Sequence, residues 1–120
     1  MADNIKQVIV VNMSVPMAIG RLVAQAAHAS VLNILNRGEW KNETFSLKTE
    51  DLPLTYWMKG EFTKVILKAW GKDQMLKIKQ EAERKGIYTS TMEEDGFITA
   101  IALGPAERND LKFTEVLPLL

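Results

Sequence analysis

Hydrophobic positions along this chain fall into short solid runs and longer stripes, in alternation. Residues 6–12, KQVIVVN, hold four consecutive β-branched residues between polar ends. A run without polar alternation predicts a strand buried on both faces, central in a sheet with helices on either side. Ser14 and Pro16 then suit a helix start. Over residues 17–35, MAIGRLVAQAAHASVLNIL, apolar side chains cover nearly the whole helical wheel. Such a helix is expected to be buried on most of its circumference, its alanines letting a sheet approach closely. One narrow stripe differs: Arg21, Gln25 and His28, spaced i, i+4, i+7. That stripe predicts either the wall of a site or simply the strip of helix that reaches solvent.

Residues 39–62 mix charges with Trp40, Phe45, Tyr56 and Trp57, and Pro53 interrupts them. Thr49-Glu50-Asp51 can cap a short helix there. So long a connection suits a lid or an interface; the plainer expectation is that its rings cover one end of the core. TKVILKA at 63–69 predicts a second strand. Met75, Ile78 and Ala82 then recur at helical spacing until Gly86 stops the helix. Residues 87–92 suit a third strand, Glu93–Gly96 a turn, and 97–103 a fourth strand antiparallel to the third. Gly104-Pro105 is expected to end that strand, before a last short helix and an apolar tail that packs back. The order β-α-β-α-β-β predicts an α/β fold: a three-layer α/β/α sandwich around a four-stranded mixed sheet, with a short C-terminal helix and right-handed crossovers. A single domain spanning residues 1–120 is expected.

Composition narrows the chemistry. The chain has no cysteine and one histidine, which rules out disulfides and thiol catalysis and argues against structural zinc. Basic and acidic residues balance at 15 each, so any nucleic-acid contact must rest on a local patch. No apolar run is long enough for a membrane span and MADNIK is not a signal peptide, so a soluble cytoplasmic protein is expected. Phosphate loops and nucleophile elbows are absent. A Ser90, His28, Asp95 triple can be drawn, as it can from almost any chain.

Several pieces, taken in order, resemble the type II peptidyl-tRNA hydrolase superfamily. KQVIVV is followed by M-x-x-G-R-x-x-A-Q-x-x-H-A at 17–29, close to the family's M-G-K-G-K-x-A-A-Q-x-x-H-A, with Arg21 in place of a lysine. Lys64-Val65-Ile66-Leu67-Lys68 is similar to K-V-V-L-K. Gly104-Pro105-Ala106, Lys112-Phe113-Thr114 and the leucine-rich ending complete the series. The resemblance implies a mixed four-stranded sheet between helices, hydrolysis of the ester of peptidyl- or aminoacyl-tRNA, and a homodimer. It also marks departures. The family carries a segment like D-A-G-R-T-Q-I-A-P-G-T, with an aspartate and a threonine implicated in activity. Here Glu93-Glu94-Asp95-Gly96-Phe97 runs straight into the last strand. Asp95 or Glu94 stands in for that aspartate, and Thr99 lies too far along to be equated with the threonine. Ile19 replaces a lysine of the first motif. The chain is therefore identified with a divergent, short-loop branch that resembles domains of unassigned function.

Two readings follow. In an esterase acting at the tRNA 3′ end, His28, the one side chain that titrates near neutrality unaided, and Asp95 or Glu94 transfer protons. Gln25 then bonds the substrate carbonyl, and Arg21 with Lys68 holds a terminal phosphate. No metal or cofactor enters. In a non-catalytic binding module the same place holds a small anionic ligand or a protein partner, with the aromatic segment 40–57 as contact surface. A third possibility is that the stripe serves packing and solubility alone.

Overall fold

A computed structural model describes residues 4–48 and 50–120. In chain order the elements are β1 (Ile5–Asn12), α1 (Ile19–Leu35), a hairpin of β2 (Glu39–Lys41) and β3 (Thr44–Ser46), α2 (Leu52–Lys59), β4 (Lys64–Ala69), α3 (Lys72–Arg84), β5 (Thr89–Glu94), β6 (Phe97–Glu107) and a 3-10 helix over Arg108–Val116. The main sheet has the order β4-β1-β6-β5. β1 and β4 are parallel; β6 runs antiparallel to both β1 and β5.

Successive residues of β1 serve opposite layers, as the pleat requires. Ile9 and Val11 join Ala100 and Ala102 of β6 against Leu22, Ala26 and Ala29 of α1. Val8 and Val10 join Ile101 and Leu103 against Met75, Ile78 and Ala82 of α3 and Leu111 of the 3-10 helix. That double duty explains the unbroken β-branched run. The predicted three-layer α/β/α arrangement is the one observed. Trp57 and Leu54 of α2 close the Ile5 end of β1, so one ring of the 39–62 segment does cover the core. Trp40, by contrast, stays exposed on the hairpin, stacked at a tilt on Phe45. The tail packs back as expected, with Leu119 bridging to Leu67 at the free edge of β4.

Four boundaries differ from the sequence reading, each for a local reason. α1 begins at Ile19, with Ala18 at its N-cap and no side-chain cap. Ser14 does not cap it; its backbone N–H bonds the Asn12 side chain, which also takes the Gly71 N–H. At α2 the cap is Asp51, accepting the Leu54 N–H at 3.2 Å; Thr49 lies outside the described residues. β5 begins at Thr89, because Ile87 is spent on the α3 stop: its N–H bonds Ala82 and that of Gly86, at φ +76°, bonds Glu83. β6 does not end at Gly104-Pro105. It continues to Glu107, paired with Ile5 of β1 across an irregularity between Lys6 and Val8, where a residue without an N–H is tolerated.

α1 is not buried on most of its circumference. Ile19, Val23, Val31 and Leu35 are exposed, and only Leu22, Gln25, Ala26, Ala29, Ser30 and Asn33 are buried. A single face of one helix meets the sheet, and no second layer covers the rest.

Arg37 fixes the far end of α1. Its guanidinium reaches Asp51 at 3.0 Å, the Gly104 carbonyl at 2.7 Å and Asn33 at 3.3 Å, with the Tyr88 ring 4.3 Å away. Burial lowers its pKa while Asp51 and Tyr88 oppose that shift. Arg37→Met keeps the stem but strands the Gly104 carbonyl and removes a charged partner. It should cost about 2–3 kcal/mol, read as a lower urea midpoint at unchanged m-value; a loss under about 0.5 kcal/mol would contradict the clamp.

Candidate functional site

The polar stripe of α1 meets the β5–β6 hairpin where β1 ends. That hairpin turns in two residues, Asp95 (φ +53°) and Gly96 (φ +83°), the pair of positive φ values that an Asp-Gly turn supplies. The strands therefore run up to Glu94 and from Phe97, and Glu93 and Glu94 belong to β5 rather than to the turn.

One extra residue sits in β6. Met92 faces Ala100, yet Glu93 faces Ile98, so Thr99 is a bulge. Ile98 packs toward α3 and Ala100 toward α1. The bulge turns Thr99 to the α1 side as well, re-aiming a side chain that strict alternation would alternate away. Thr99 Oγ1 donates to Gln25 Oε1 at 2.5 Å, with the Met92 carbonyl 3.2 Å away. Gln25 Nε2 donates to Glu94 Oε2 at 3.0 Å. A carboxylate only accepts, so the amide nitrogen must face Glu94 and its oxygen must face the hydroxyl. Arg21 completes the set, its Nη2 2.8 Å and its Nε 3.3 Å from the same Oε2. The bond and charge of Glu94 raise the Arg21 pKa, so this guanidinium is charged at every working pH.

Burial grades along this chain of contacts. Gln25 and Thr99 are 4% and 1% exposed. The Glu94 and Arg21 side chains are 36% and 50% exposed. Glu94 Oε1 has no protein partner among the described residues, on a side chain that is partly open to solvent. Met13, Met17 and Met92, half-buried against the α1 layer, supply adaptable apolar wall at the same end. The network opens on the surface. Cavities lie elsewhere, one of about 470 Å³ beside Arg37 and Asp51, one of about 370 Å³ beside Asn4 and Arg108, and one of about 310 Å³ between α1 and β4.

Of the residues singled out from the sequence, Arg21 and Gln25 are brought together. Asp95 is in the turn, its side chain 82% exposed and 3.7 Å from Arg21 at nearest. Glu94 is the acid held against the stripe. His28 is exposed one turn along from Gln25 and makes no bond to the network among the described residues. Lys68 shares the α1-side face with Ile66, in the transverse row Lys68, Val11, Ala100, Met92. It is two strands from β6, about 10 Å at ordinary strand spacing. Ser90 and Asp95 do not meet His28; Ser90 accepts instead from Asn36. Sequence reasoning set Thr99 aside. The signal that could have found it is the bulge, which no period in the sequence encodes.

Known proteins share this chain along its length. A "Peptidyl-tRNA hydrolase PTH2" family model matches residues 5–120. A peptidyl-tRNA hydrolase of Methanopyrus kandleri is 30% identical over 123 aligned positions, covering 96% of this chain and 97% of that protein. One from Halobacterium salinarum is 34% identical over 113 positions, covering 88% and 90%. One from Saccharolobus islandicus is 30% identical over 120 positions, covering 88% and 89%. No helix among the described residues is long and apolar enough to cross a membrane. With its mixed sheet, its stripe on α1 and a match over nearly its full length, the chain belongs to the peptidyl-tRNA hydrolase PTH2 family.

Proposed function

We propose that this protein hydrolyses the ester between an acyl or peptidyl group and the 3′ end of tRNA. The observation that carries the reading is the Glu94 carboxylate, held through one oxygen by Arg21 and Gln25 with its other oxygen unpartnered among the described residues, in a chain of this family.

Ester hydrolysis needs a water delivered to the carbonyl carbon and a place for its proton. Glu94 Oε1 takes that proton as the water oxygen bonds to the carbon. The carbon–oxygen bond to the ribose then breaks, and the proton passes to the departing ribose oxygen. Gln25 and Thr99 act as positioning residues: they keep the carboxylate from swinging away. Arg21 sits where negative charge would arrive, and a nucleotide phosphate would compete with Glu94 for its guanidinium. Lys68, three strands from Glu94 and so about 14 Å across the sheet, suits a second phosphate. An open surface site accommodates a polynucleotide end better than a small ligand, whose pockets are concave. That favours the hydrolase over a module that binds a small anion. His28 is assigned a contact with the substrate, and Asp95 a second charge near Arg21; neither is given the base role. The domain spans the chain, and its working unit in this reading is a homodimer.

The test is release of N-acetyl-aminoacyl groups from tRNA by purified protein. Glu94→Gln should lower kcat by about 10²- to 10⁴-fold, whereas Asp95→Asn and His28→Ala should each stay within about tenfold of wild type. Wild-type release no faster than the spontaneous rate would overturn the hydrolase reading. Arg21→Ala should raise KM and also lower kcat, since it removes one of the two holds on Glu94; an unchanged KM would contradict its phosphate role. Thr99→Val conserves volume and removes the hydroxyl. It should cost about 1–3 kcal/mol of stability by stranding Gln25 Oε1, and should lower kcat without raising KM; unchanged stability and turnover would contradict the relay.

A further inference from the structure

The chain carries three tryptophans, and the fold treats them differently. Trp57 of α2 is buried, its indole N–H donating to the Thr63 carbonyl at 2.8 Å. Trp40 tilts on Phe45 out on the small hairpin. Trp70 lies just past the end of β4 and is 53% exposed. Its indole N–H makes no hydrogen bond among the described residues. Its backbone, by contrast, is held firmly. The Trp70 N–H donates to Gln74 Oε1 at 2.7 Å, and the N–H of Gly71 donates to Asn12 Oδ1 at 3.0 Å. Asn12 is 4% exposed, and its Nδ2 donates to the carbonyl of Ile98, the residue before Thr99, at 2.9 Å. A large flat ring is thus presented to solvent on a fixed mount that is tied to the strand carrying Thr99.

The ring stands on the same face and at the same end of the sheet as the Gln25–Glu94 network. Lys68 and Met92 share a transverse row on the α1 side. Trp70 follows Lys68 by two residues, as Glu94 follows Met92, so the strand period keeps both on that side. The Lys68 ammonium, 5.7 Å over the centre of the Trp70 ring, agrees with this placement. Three strand spacings, about 14 Å, separate β4 from β5. Lys68 and Lys72 flank Trp70 along the chain, and neither forms an ion pair among the described residues. An indole with unpaired cations beside it meets both demands of a single-stranded nucleic acid: a flat face for a base and positive charge for the phosphate next to it. A cation over one face of the ring leaves the other for a second flat partner. An apolar protein segment would gain nothing from the lysines, and a duplex keeps its base faces stacked.

We propose that Trp70 stacks an unpaired base of the nucleic-acid substrate, with Lys68 on an adjoining phosphate, about 14 Å from Glu94. The 3′ end of a tRNA is unpaired, so the strand that brings its ester to Glu94 has bases free to reach across this end of the sheet. The identity of that strand rests on the hydrolase reading; the stacking is tested without turnover. Every base has a flat face, so Trp70 adds hold on the strand rather than choice of sequence.

The probe is a short, unacylated, single-stranded RNA, followed by anisotropy of an end label and by quenching of tryptophan emission. Trp70→Ala should weaken binding about 5- to 150-fold, the loss of one stacked base, at an unchanged melting temperature because the ring is exposed. Trp70→Phe keeps a stacking ring, so affinity should stay within about fivefold of wild type while the quenching disappears. Trp40→Ala should change neither. Against the same sugar–phosphate strand without bases, Trp70→Ala should cost nothing. Lys68→Ala should flatten the dependence of log K on log salt by about 0.7. Equal affinity of wild type and Trp70→Ala, quenching that persists in Trp70→Phe, the same loss on the base-free strand, or a wild type that does not bind the RNA would each overturn the platform. Binding that depends on Trp70, beside release from acyl-tRNA no faster than the spontaneous rate, overturns the hydrolase reading and leaves the platform standing.

Discussion

A buried side-chain amide has a donor end and an acceptor end, and both need partners when water is excluded. Gln25 is such an amide, and its two ends tie α1 to both strands of the β5–β6 hairpin. Its oxygen accepts a hydrogen bond from the Thr99 hydroxyl, so its nitrogen is obliged to face Glu94. An unmade bond at either end would cost about 1–3 kcal/mol, enough to select one orientation of the amide over the other. The β-bulge brings Thr99 into reach, the two-residue turn sets the end of β5 at Glu94, and the helix stripe adds Arg21. The position of the carboxylate is thus settled by hydrogen-bond direction as much as by charge.

The same helix divides its work by face. Toward β5 and β6 it offers the amide and the guanidinium. Toward the sheet it offers alanines, and Ala29 is fully buried against Ala100 and Ala102, which lets the helix lie close enough for Gln25 to reach Thr99. A larger residue at Ala29 would lift the helix and lengthen those bonds. Outward it leaves Ile19, Val23, Val31 and Leu35 exposed. The far end of α1 is pinned separately, by Arg37 to the Gly104 carbonyl and the α2 cap, so the helix cannot slide along the sheet.

What the sequence made legible was whatever rests on period. The unbroken run at Val8–Val11 gave a central strand, the spacing of Met75, Ile78 and Ala82 gave α3, and Arg21 with Gln25 gave half of the candidate network. What escaped rests on register and on neighbours. Thr99 points at α1 only because β6 holds one more residue than its partner there, and no alternation pattern announces a bulge. Choosing between Glu94 and Asp95 required knowing that the turn takes just two residues, which leaves Glu94 on the strand and Asp95 in solvent. The apolar circumference of α1 suggested burial all round, yet one sheet contacts one face. His28 shares the stripe by angle, but a stripe spans several turns and the hairpin meets only the first two.

In the proposed hydrolase, Thr99 acts on turnover through Glu94, by way of Gln25. A double-mutant cycle of Thr99→Val and Glu94→Gln, read in kcat for release of N-acetyl-aminoacyl groups from tRNA, tests it most directly. The account predicts strong non-additivity: once the carboxylate has become an amide, losing the hydroxyl should change turnover by less than about twofold. Additive losses, with Thr99→Val costing the same factor in both backgrounds, would contradict it.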